Sequence, residues 1–296
     1  MHRQLVRHGA STLMVSLPKK WVDAQRLRKG DVVDVKPIDA KIVITKTGTQ
    51  KRTSAVEVRL SAPDYESARS LLGTLYRQGH ERITVTYADP KAIIPIQTIC
   101  RAIQGFEIIE QDERHCVIRN IVRELTIDPA ELRMKVVNSI KAEFLMVRDY
   151  LQNGEKRRIG DLQSIRDECW KMRNLLYVHL RDNPLFSAHD EYVIMHLLEY
   201  NASFLLWLYR SFDKSHGAKA SPAFLRLYDE VAEYFSGTMK RMVAKDPRLV
   251  QYVMNERDAL LRQCEEYALS NARDRHLVIY LAMLIQNIHN PKSLIA

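Results

Sequence analysis

The chain of 296 residues lacks the features that mark several common classes of protein. Its four cysteines lie far apart and form no CxxC pair, which argues against a disulfide framework or a cysteine zinc site and favours buried, reduced thiols. No run of about eighteen apolar residues is present, so we expect no membrane insertion. The N-terminus has no apolar segment of a secretory signal, and we therefore expect a cytoplasmic protein.

Signatures of catalysis and of cofactor binding are also missing. The ten glycines are scattered and form neither GxxxxGK nor GxGxxG, and no GxSxG motif occurs. The histidines do not follow the HExxH spacing of a zinc protease. We therefore expect no enzymatic activity, no catalytic residues and no cofactor.

Positive charge is present in excess, and it is concentrated at one end of the chain. Residues 1–52 contain twelve Lys or Arg against four Asp or Glu, a formal charge of +8, and the whole chain carries +9. A compact basic module on a nearly neutral body is typical of a polyanion-binding protein. The alternative is a basic surface that only keeps the protein in solution.

Residues 1–47 predict a small, mostly β domain. Apolar and polar residues alternate over residues 3–8 and 12–17, Pro18 precedes a short helix at 19–27, and strands follow at 32–36 and 41–44. A domain of this size buries too little surface to be stable alone, so we expect it to dimerise. Residues 48–54 read as a polar, basic linker.

Three motifs in this domain occur in a fixed order: residues 9–12 (GAST), 15–21 (VSLPKKW) and 27–33 (LRKGDVV). Together they resemble the AbrB/MazE/SpoVT family of swapped-hairpin DNA-binding domains. The resemblance implies that two chains interleave into one barrel, a homodimer whose first strand and hairpin face double-stranded DNA. It assigns the DNA contacts to seven residues: Arg3, Arg7, His8, Ser11, Thr12, Lys19 and Lys20.

Lysine and arginine side chains at these positions would neutralise phosphates, and the hydroxyls could donate to phosphate oxygens. A purely structural role is the alternative. Ser11 and Thr12 would then only cap a turn, and the two lysines would only flank a helix.

The remaining residues predict two further domains, which makes this a multidomain chain. Residues 55–122 follow the order β-α-β-α-β-β, with glycines ending the first and second helices, and form a small α/β unit. Residues 128–296 are helical throughout and look doubled, with three helices over about 128–213 and three over 222–296. We expect an all-α bundle of two three-helix halves.

This layout resembles the archaeal PhoU-like phosphate uptake regulators, in which an AbrB-like domain, a small α/β unit and two three-helix PhoU repeats follow in this order. The resemblance implies a role in phosphate homeostasis and a helical domain that senses a signal or docks on a transporter or kinase.

Acidic residues depart from the PhoU pattern at the positions that could hold a metal cluster. Glu199 is followed four residues later by Ser203, residues 286–290 read QNIHN, and Trp170 and Leu260 stand where acids are expected. Neutral amides bind multivalent ions poorly, so we expect no PhoU-type metal site. Asp161, Asp167 and Glu168 are expected on a solvated face or paired with Arg166 and Arg173. The aromatic residues Phe204, Trp207, Tyr209 and Phe212 are expected in the bundle core.

The sequence thus predicts a DNA-binding transcriptional regulator. Two alternatives stay open: an interaction adaptor whose barrel only dimerises or binds a partner like an antitoxin, and a metal-binding sensor built on the helical half.

Overall fold

The computed structural model describes most of the chain. The described residues are 2–9, 11–38, 41–47, 55–122, 127–154, 159–182, 188–215, 219–271 and 273–288. They form two compact units, Met1–Ser54 and Ala55–Ala296. The predicted linker at 48–54 lies outside the described residues.

The first unit consists of two hairpins separated by a short helix. Its elements are β1 (Val6–His8), β2 (Thr12–Met14), α1 (Lys19–Ala24), β3 (Val33–Ile38) and β4 (Lys41–Lys46). β1 pairs with β2 and β3 with β4, both antiparallel, and the two pairs form separate two-stranded sheets. Gly9 and Gly30 have φ of +75° and +96°, in the left-handed region that favours glycine, which explains these two glycines in the motifs. The order of strands and helix agrees with the sequence prediction.

This first unit has no core of its own in a single chain. None of its described residues is buried. Eight large apolar side chains are instead 45–70% exposed: Leu5, Val6, Leu13, Met14, Val15, Val32, Val35 and Ile42. Two isolated hairpins with exposed apolar faces are at best marginally stable in water, so the unit requires further apolar contacts to be stable.

The second unit begins with the predicted α/β order. Its elements are β5 (Ala55–Leu60), α2 (Tyr65–Gln78), β6 (Arg82–Tyr87), a 3₁₀ turn (Pro90–Ala92), α3 (Ile93–Ala102), β7 (Phe106–Gln111) and β8 (His115–Asn120). The strands lie in the order β5-β6-β8-β7, with β5 parallel to β6 and the other pairs antiparallel. Asp64 caps α2 by accepting from the backbone N–H of Ser67 at 2.9 Å, and Gly79, with φ of +82°, ends it.

Six long helices follow: α4 (Pro129–Asn153), α5 (Ile159–Asp182), α6 (Ala188–Ser215), α7 (Pro222–Val243), α8 (Leu249–Ser270) and α9 (Arg275–Ile288). α4, α5 and α6 pack on one another, as do α7, α8 and α9. Contacts of α4 with α7 and of α6 with α9 join the two groups. None of the helices in the described ranges is long and apolar enough to cross a membrane.

Two hydrophobic cores hold the second unit together. One fills the helical bundle and the other lies between the α/β sheet and its helices. Trp170 of α5 belongs to the α/β core, so this side chain packs α5 against the α/β elements. The four cysteines are buried and free, as expected from their spacing, and burial raises the pKa of Cys100, Cys116 and Cys264 to about 12.

The helical spacing of apolar residues in α4 predicts a buried face formed by Met134, Val137, Ile140, Phe144, Val147 and Leu151. Val137, Ile140, Phe144, Val147 and Leu151 are buried as expected. Met134 is 39% exposed, whereas Glu143, which the prediction omitted, is fully buried. Met134 is near the beginning of the helix, before Val136, the first of its buried residues.

Candidate nucleic-acid interface

The seven residues assigned to DNA contact all lie on the exposed surface of the first unit. Arg3 precedes β1, which contains Arg7 and His8. Ser11 and Thr12 lie at the turn and at the beginning of β2, and Lys19 and Lys20 are the first two residues of α1. The hairpin and the beginning of α1 therefore present hydroxyls and positive charges to solvent.

The register of the first hairpin divides these residues between its two faces. Arg7 is opposite Leu13, and His8 is opposite Thr12. Because directly opposed residues project to the same side and neighbours along a strand alternate, Arg7 and Leu13 share one face, whereas His8 and Thr12 share the other. Arg7 and His8 therefore cannot both point from one flat hairpin face into the same groove.

The loop after α1 adds basic residues that the motif comparison did not select. Arg26, Arg28 and Lys29 are exposed. The side chain of Asp31 accepts from the backbone N–H of Arg28 at 2.7 Å and closes the turn around Gly30, which accounts for the aspartate in the motif. These three cations contribute to the +8 of residues 1–52, and the charge count was the signal that could have identified them.

Lys46, one of the basic residues in 1–52, makes a hydrogen bond within the first unit. The Lys46 ammonium donates to the backbone carbonyl of Gln25 at 3.1 Å, linking β4 to the end of α1. Part of the positive charge at this end of the chain therefore holds the hairpins and the helix together.

The positions of the helical part that carry acids in the PhoU pattern contain side chains engaged by other groups. Glu199 accepts from Arg69 Nη2 at 2.7 Å and from Arg173, and Ser203 Oγ donates to the backbone carbonyl of Glu199 at 3.3 Å. Asn287 donates to the carbonyl of Leu197 and to Asn201 Oδ1 at 2.6 and 2.7 Å. His289 and Asn290 lie outside the described residues. Within the described ranges, no three His, Cys, Asp or Glu side chains are grouped as metal ligands would be.

The acidic residues of α5 are expected on a solvated face or in ion pairs with Arg166 and Arg173, and the structure shows both arrangements. Asp167 pairs with Arg166 at 3.2 Å, as predicted. Glu168 pairs with Lys135 at 2.6 Å and approaches Lys171 at 4.0 Å, not an arginine, because Lys135 on α4 lies within its reach. Asp161 is exposed. Of the four aromatic residues assigned to the bundle core, Phe204, Tyr209 and Phe212 are buried, whereas Trp207 is 37% exposed.

Comparison with known proteins supports the N-terminal part of the sequence interpretation. Residues 6–52 match a protein-family model described as "Antidote-toxin recognition MazE, bacterial antitoxin". No curated protein and no solved structure matches the chain. The match ends at residue 52, so the likeness of residues 55–296 to PhoU-like regulators stays a prediction. The N-terminal unit is thus similar in sequence to the MazE antitoxin family, over 47 residues that contain all three motifs.

Proposed function

We propose that this chain is a DNA-binding regulator that acts as a homodimer, with the N-terminal unit on duplex DNA and residues 55–296 providing the input. The observation that carries the proposal is the distribution of charge, because +8 of the net +9 lies in residues 1–52, where all seven candidate contacts are exposed. Binding to the DNA backbone is mainly an attraction of such cations to phosphates. The match to an antitoxin family is consistent with this role.

The dimer is supported by the exposed apolar side chains of the first unit. Eight of them are 45–70% exposed in one chain, and burying apolar surface is the main favourable contribution to association. A second copy would supply the same hairpins and could complete a common core. Interleaving of the hairpins into one barrel is the form of dimer that the sequence resemblance implies.

The finer part of the proposal concerns phosphate. The domain order resembles phosphate uptake regulators, so we propose a role in phosphate homeostasis, acting in the cytoplasm without catalysis, with a transporter or kinase as the docking partner. Two groups of three mutually packed helices are consistent with the expected layout.

A second candidate function is an antitoxin-like adaptor, in which the N-terminal dimer binds a protein and not DNA. The printed description of the matching family, which names toxin recognition, favours it. The two functions differ in their dependence on salt, because neutralising several DNA phosphates releases counterions and makes affinity fall steeply as salt rises.

The deciding experiment is fluorescence anisotropy of labelled duplex DNA with the full chain at low and moderate salt. We expect binding that weakens with salt and is lost or much reduced in Arg3→Ala/Arg7→Ala. The salt slope should fall by up to about four, roughly one for each arginine removed from a dimer. Arg226→Ala/Arg262→Ala is the matched control, because it removes the same charge from exposed positions of α7 and α8. A folded dimer that does not bind at low salt would refute the DNA proposal and favour the adaptor.

A further inference from the structure

A second feature of the molecule, within residues 55–296, is a cavity of about 530 Å³ between α2, α5 and α6. Its size is in the range of pockets that hold small organic ligands. Five arginines line it: Arg69, Arg77, Arg166, Arg173 and Arg210. They come from helix positions spaced to face the same side, two on α2, two on α5 and one on α6.

The acidic residues of the cavity do not balance these arginines. Glu66 and Glu199 are its two lining carboxylates, and Asp167 contacts Arg166 from outside the lining. Glu199 is shared by Arg69 and Arg173, and Glu66 is shared by Arg69 at 3.5 Å and Arg166 at 2.9 Å. Counting Asp167, five positive charges face three negative ones, which leaves an excess of two.

Arg77 and Arg210 carry this excess. In the described part of the chain, Arg77 donates to Asn174 Oδ1 at 2.7 Å and to Thr74 Oγ1 at 3.1 Å, and Arg210 donates to Gln163 Oε1 at 3.4 Å. These partners are neutral, so the two guanidiniums have hydrogen bonds but no ion pair there. An anion in the cavity would supply the missing counter-charge.

Buried hydrogen-bond donors around the cavity also favour a bound anion. Arg173 is 8% exposed, and its Nε has no hydrogen-bond partner in the described structure. The same holds for Arg69 Nε and for the amide nitrogen of buried Asn174. Burial lowers the pKa of Arg77 and of His196, and the positive charge of Arg173 lowers both further. Buried donors without acceptors are costly, and a bound acceptor would remove that cost.

Aromatic side chains give the cavity a second kind of surface. Tyr200 and Trp207, both on α6 and both in the lining, are 40% and 37% exposed, and Trp170 lies beneath the Arg69 guanidinium at 5.0 Å. Partly exposed rings can stack on a flat apolar group, and guanidiniums bind phosphate oxygens in pairs.

From this combination we propose that the cavity binds a small organic phosphate with a flat ring, the chemistry of a nucleotide. Arg77 and Arg210 lie at opposite ends of the cavity, because their partners Asn174 and Gln163 are about 16 Å apart along α5. The ring lies between them, against Trp207 and Tyr200, and the phosphates contact the guanidinium at one end while the other adds its positive charge to the cavity. An excess of two positive charges fits a multiply charged phosphate better than a single carboxylate. The proposal concerns residues 66–210 and is measured without DNA, so it stands or fails independently of the proposed DNA binding.

The test is titration of the full chain with ATP, in buffer containing a chelator so that the phosphates are not complexed by metal, followed by tryptophan emission. Trp170 and Trp207 line the cavity, and Trp21 of α1 is the third tryptophan. We expect saturable quenching that persists in Trp21→Phe and is largely lost in Trp207→Phe. Adenosine and inorganic triphosphate are the matched ligands that lack the phosphates or the ring, and each should bind at least about tenfold more weakly.

Arginine variants test whether ATP binds in this cavity. Arg77→Gln/Arg210→Gln should weaken ATP binding by about tenfold or more, whereas Arg226→Gln/Arg262→Gln, which removes equal charge from exposed positions, should leave it unchanged. Circular dichroism checks that each variant folds, and Arg210→Gln alone is the milder alternative, because Arg210 is only partly buried. Absence of ATP binding, equal binding of adenosine or of triphosphate, or unchanged binding by a folded Arg77→Gln/Arg210→Gln variant would each overturn the proposal.

Discussion

Glu143 shows how a single residue can set the pH dependence of this fold. It is fully buried in the middle of α4, and neither carboxylate oxygen has a hydrogen-bond partner within the described chain. Burial raises its pKa well above the usual value of 4.5, and the charge of Arg166 offsets this only in part. The folded protein therefore favours the protonated, neutral carboxyl.

A glutamine at this position should remove that pH dependence. The pKa of Glu143 is higher in the folded protein than in the unfolded chain. The binding of a proton by Glu143 therefore stabilises the fold fully below the unfolded pKa, and this contribution is lost as pH rises through the folded pKa. Over that interval the free energy of unfolding should fall by up to about 1.4 kcal/mol per pH unit because of Glu143. We expect Glu143→Gln to be more stable than the parent at pH 8, with the difference shrinking toward pH 5.

Urea unfolding from pH 5 to pH 8 measures this difference. Glu131→Gln, at an exposed position in the first turn of the same helix, is the control and should keep the parent's pH profile. A constant gap between Glu143→Gln and the parent over this range would show that Glu143 does not titrate in it.

Gly73 illustrates a steric requirement within a helix. A Cβ added there would lie 2.7 Å from Cζ2 of Trp170, closer than a carbon can approach, and the Trp170 ring is buried in the α/β core. We expect Gly73→Ala to destabilise the fold by about 1–3 kcal/mol through overpacking, although alanine is the better helix former. Gly160→Ala is the control, because a Cβ at Gly160 has no neighbour within 4 Å.

Chemical denaturation followed by tryptophan emission distinguishes the two glycine variants. Gly160→Ala should be neutral or slightly more stable than the parent. If Gly73→Ala behaved in the same way, α2 and α5 would not be packed as closely as the structure has them.

At the scale of elements, the joint between α4 and α7 combines an ion pair with an aromatic cluster. Arg148 donates to both carboxylate oxygens of Asp229 at 2.7 and 3.0 Å, on a partly exposed surface. Beneath it, the ring of Phe144 is 5.8 Å from that of Tyr228 and 5.4 Å from that of Phe235. Burial, not charge, is expected to provide most of the stability of this joint.

Two variants at this joint compare the contribution of the ion pair to stability with that of the aromatic cluster. Asp229→Asn should lower the free energy of unfolding by about 1 kcal/mol or less, because exposed ion pairs contribute little. Phe144→Ala should lower it by about 3–5 kcal/mol, because it leaves a cavity between the helices. Equal losses in guanidinium unfolding experiments would contradict this order.

The hairpins of the first unit make a prediction about assembly. Val35 of β3 is 55% exposed in one chain, and in the proposed dimer it lies in the shared core. A lysine there would have to bury its ammonium, at a cost of several kcal/mol. We expect Val35→Lys to be a monomer by light scattering, whereas Leu269→Lys, on the exposed surface of α8, should keep the mass of the parent. A dimeric Val35→Lys would place the interface elsewhere.

For the molecule as a whole, the sequence could predict local elements better than the clustering of distant residues. The order of strands and helices, the end of α2 at Gly79 and most of the buried face of α4 follow from periodicity and from capping residues, which are local. The same periodicity could have predicted that Glu143 is buried, because it lies three positions after Ile140 on the buried face.

Local periodicity and capping residues could not predict the arginine cavity. Its arginines are separated by up to 141 positions and converge because α5 packs against both α2 and α6. Comparison of the sequence with the PhoU acidic pattern showed that carboxylates are missing at Ser203 and Trp170. It could not show that arginines surround these two residues. The dimer could be inferred from the small size of the first unit, whereas the two faces of its hairpin required the strand register.

The division of the chain into two units leads to a final prediction. Both hydrophobic cores lie within residues 55–296, and no described residue of the first unit is buried. Residues 55–296 alone should therefore unfold cooperatively, with a Tm within about 3 °C of the main transition of the full chain, a shift that corresponds to about 1 kcal/mol. The formal charge outside residues 1–52 is only +1, so this fragment should not bind duplex DNA at moderate salt. Calorimetry and anisotropy test the two halves of the prediction separately. A fragment that lost its cooperative transition would show that the hairpins stabilise the helical unit, and one that still bound DNA would move the nucleic-acid interface away from the N-terminus.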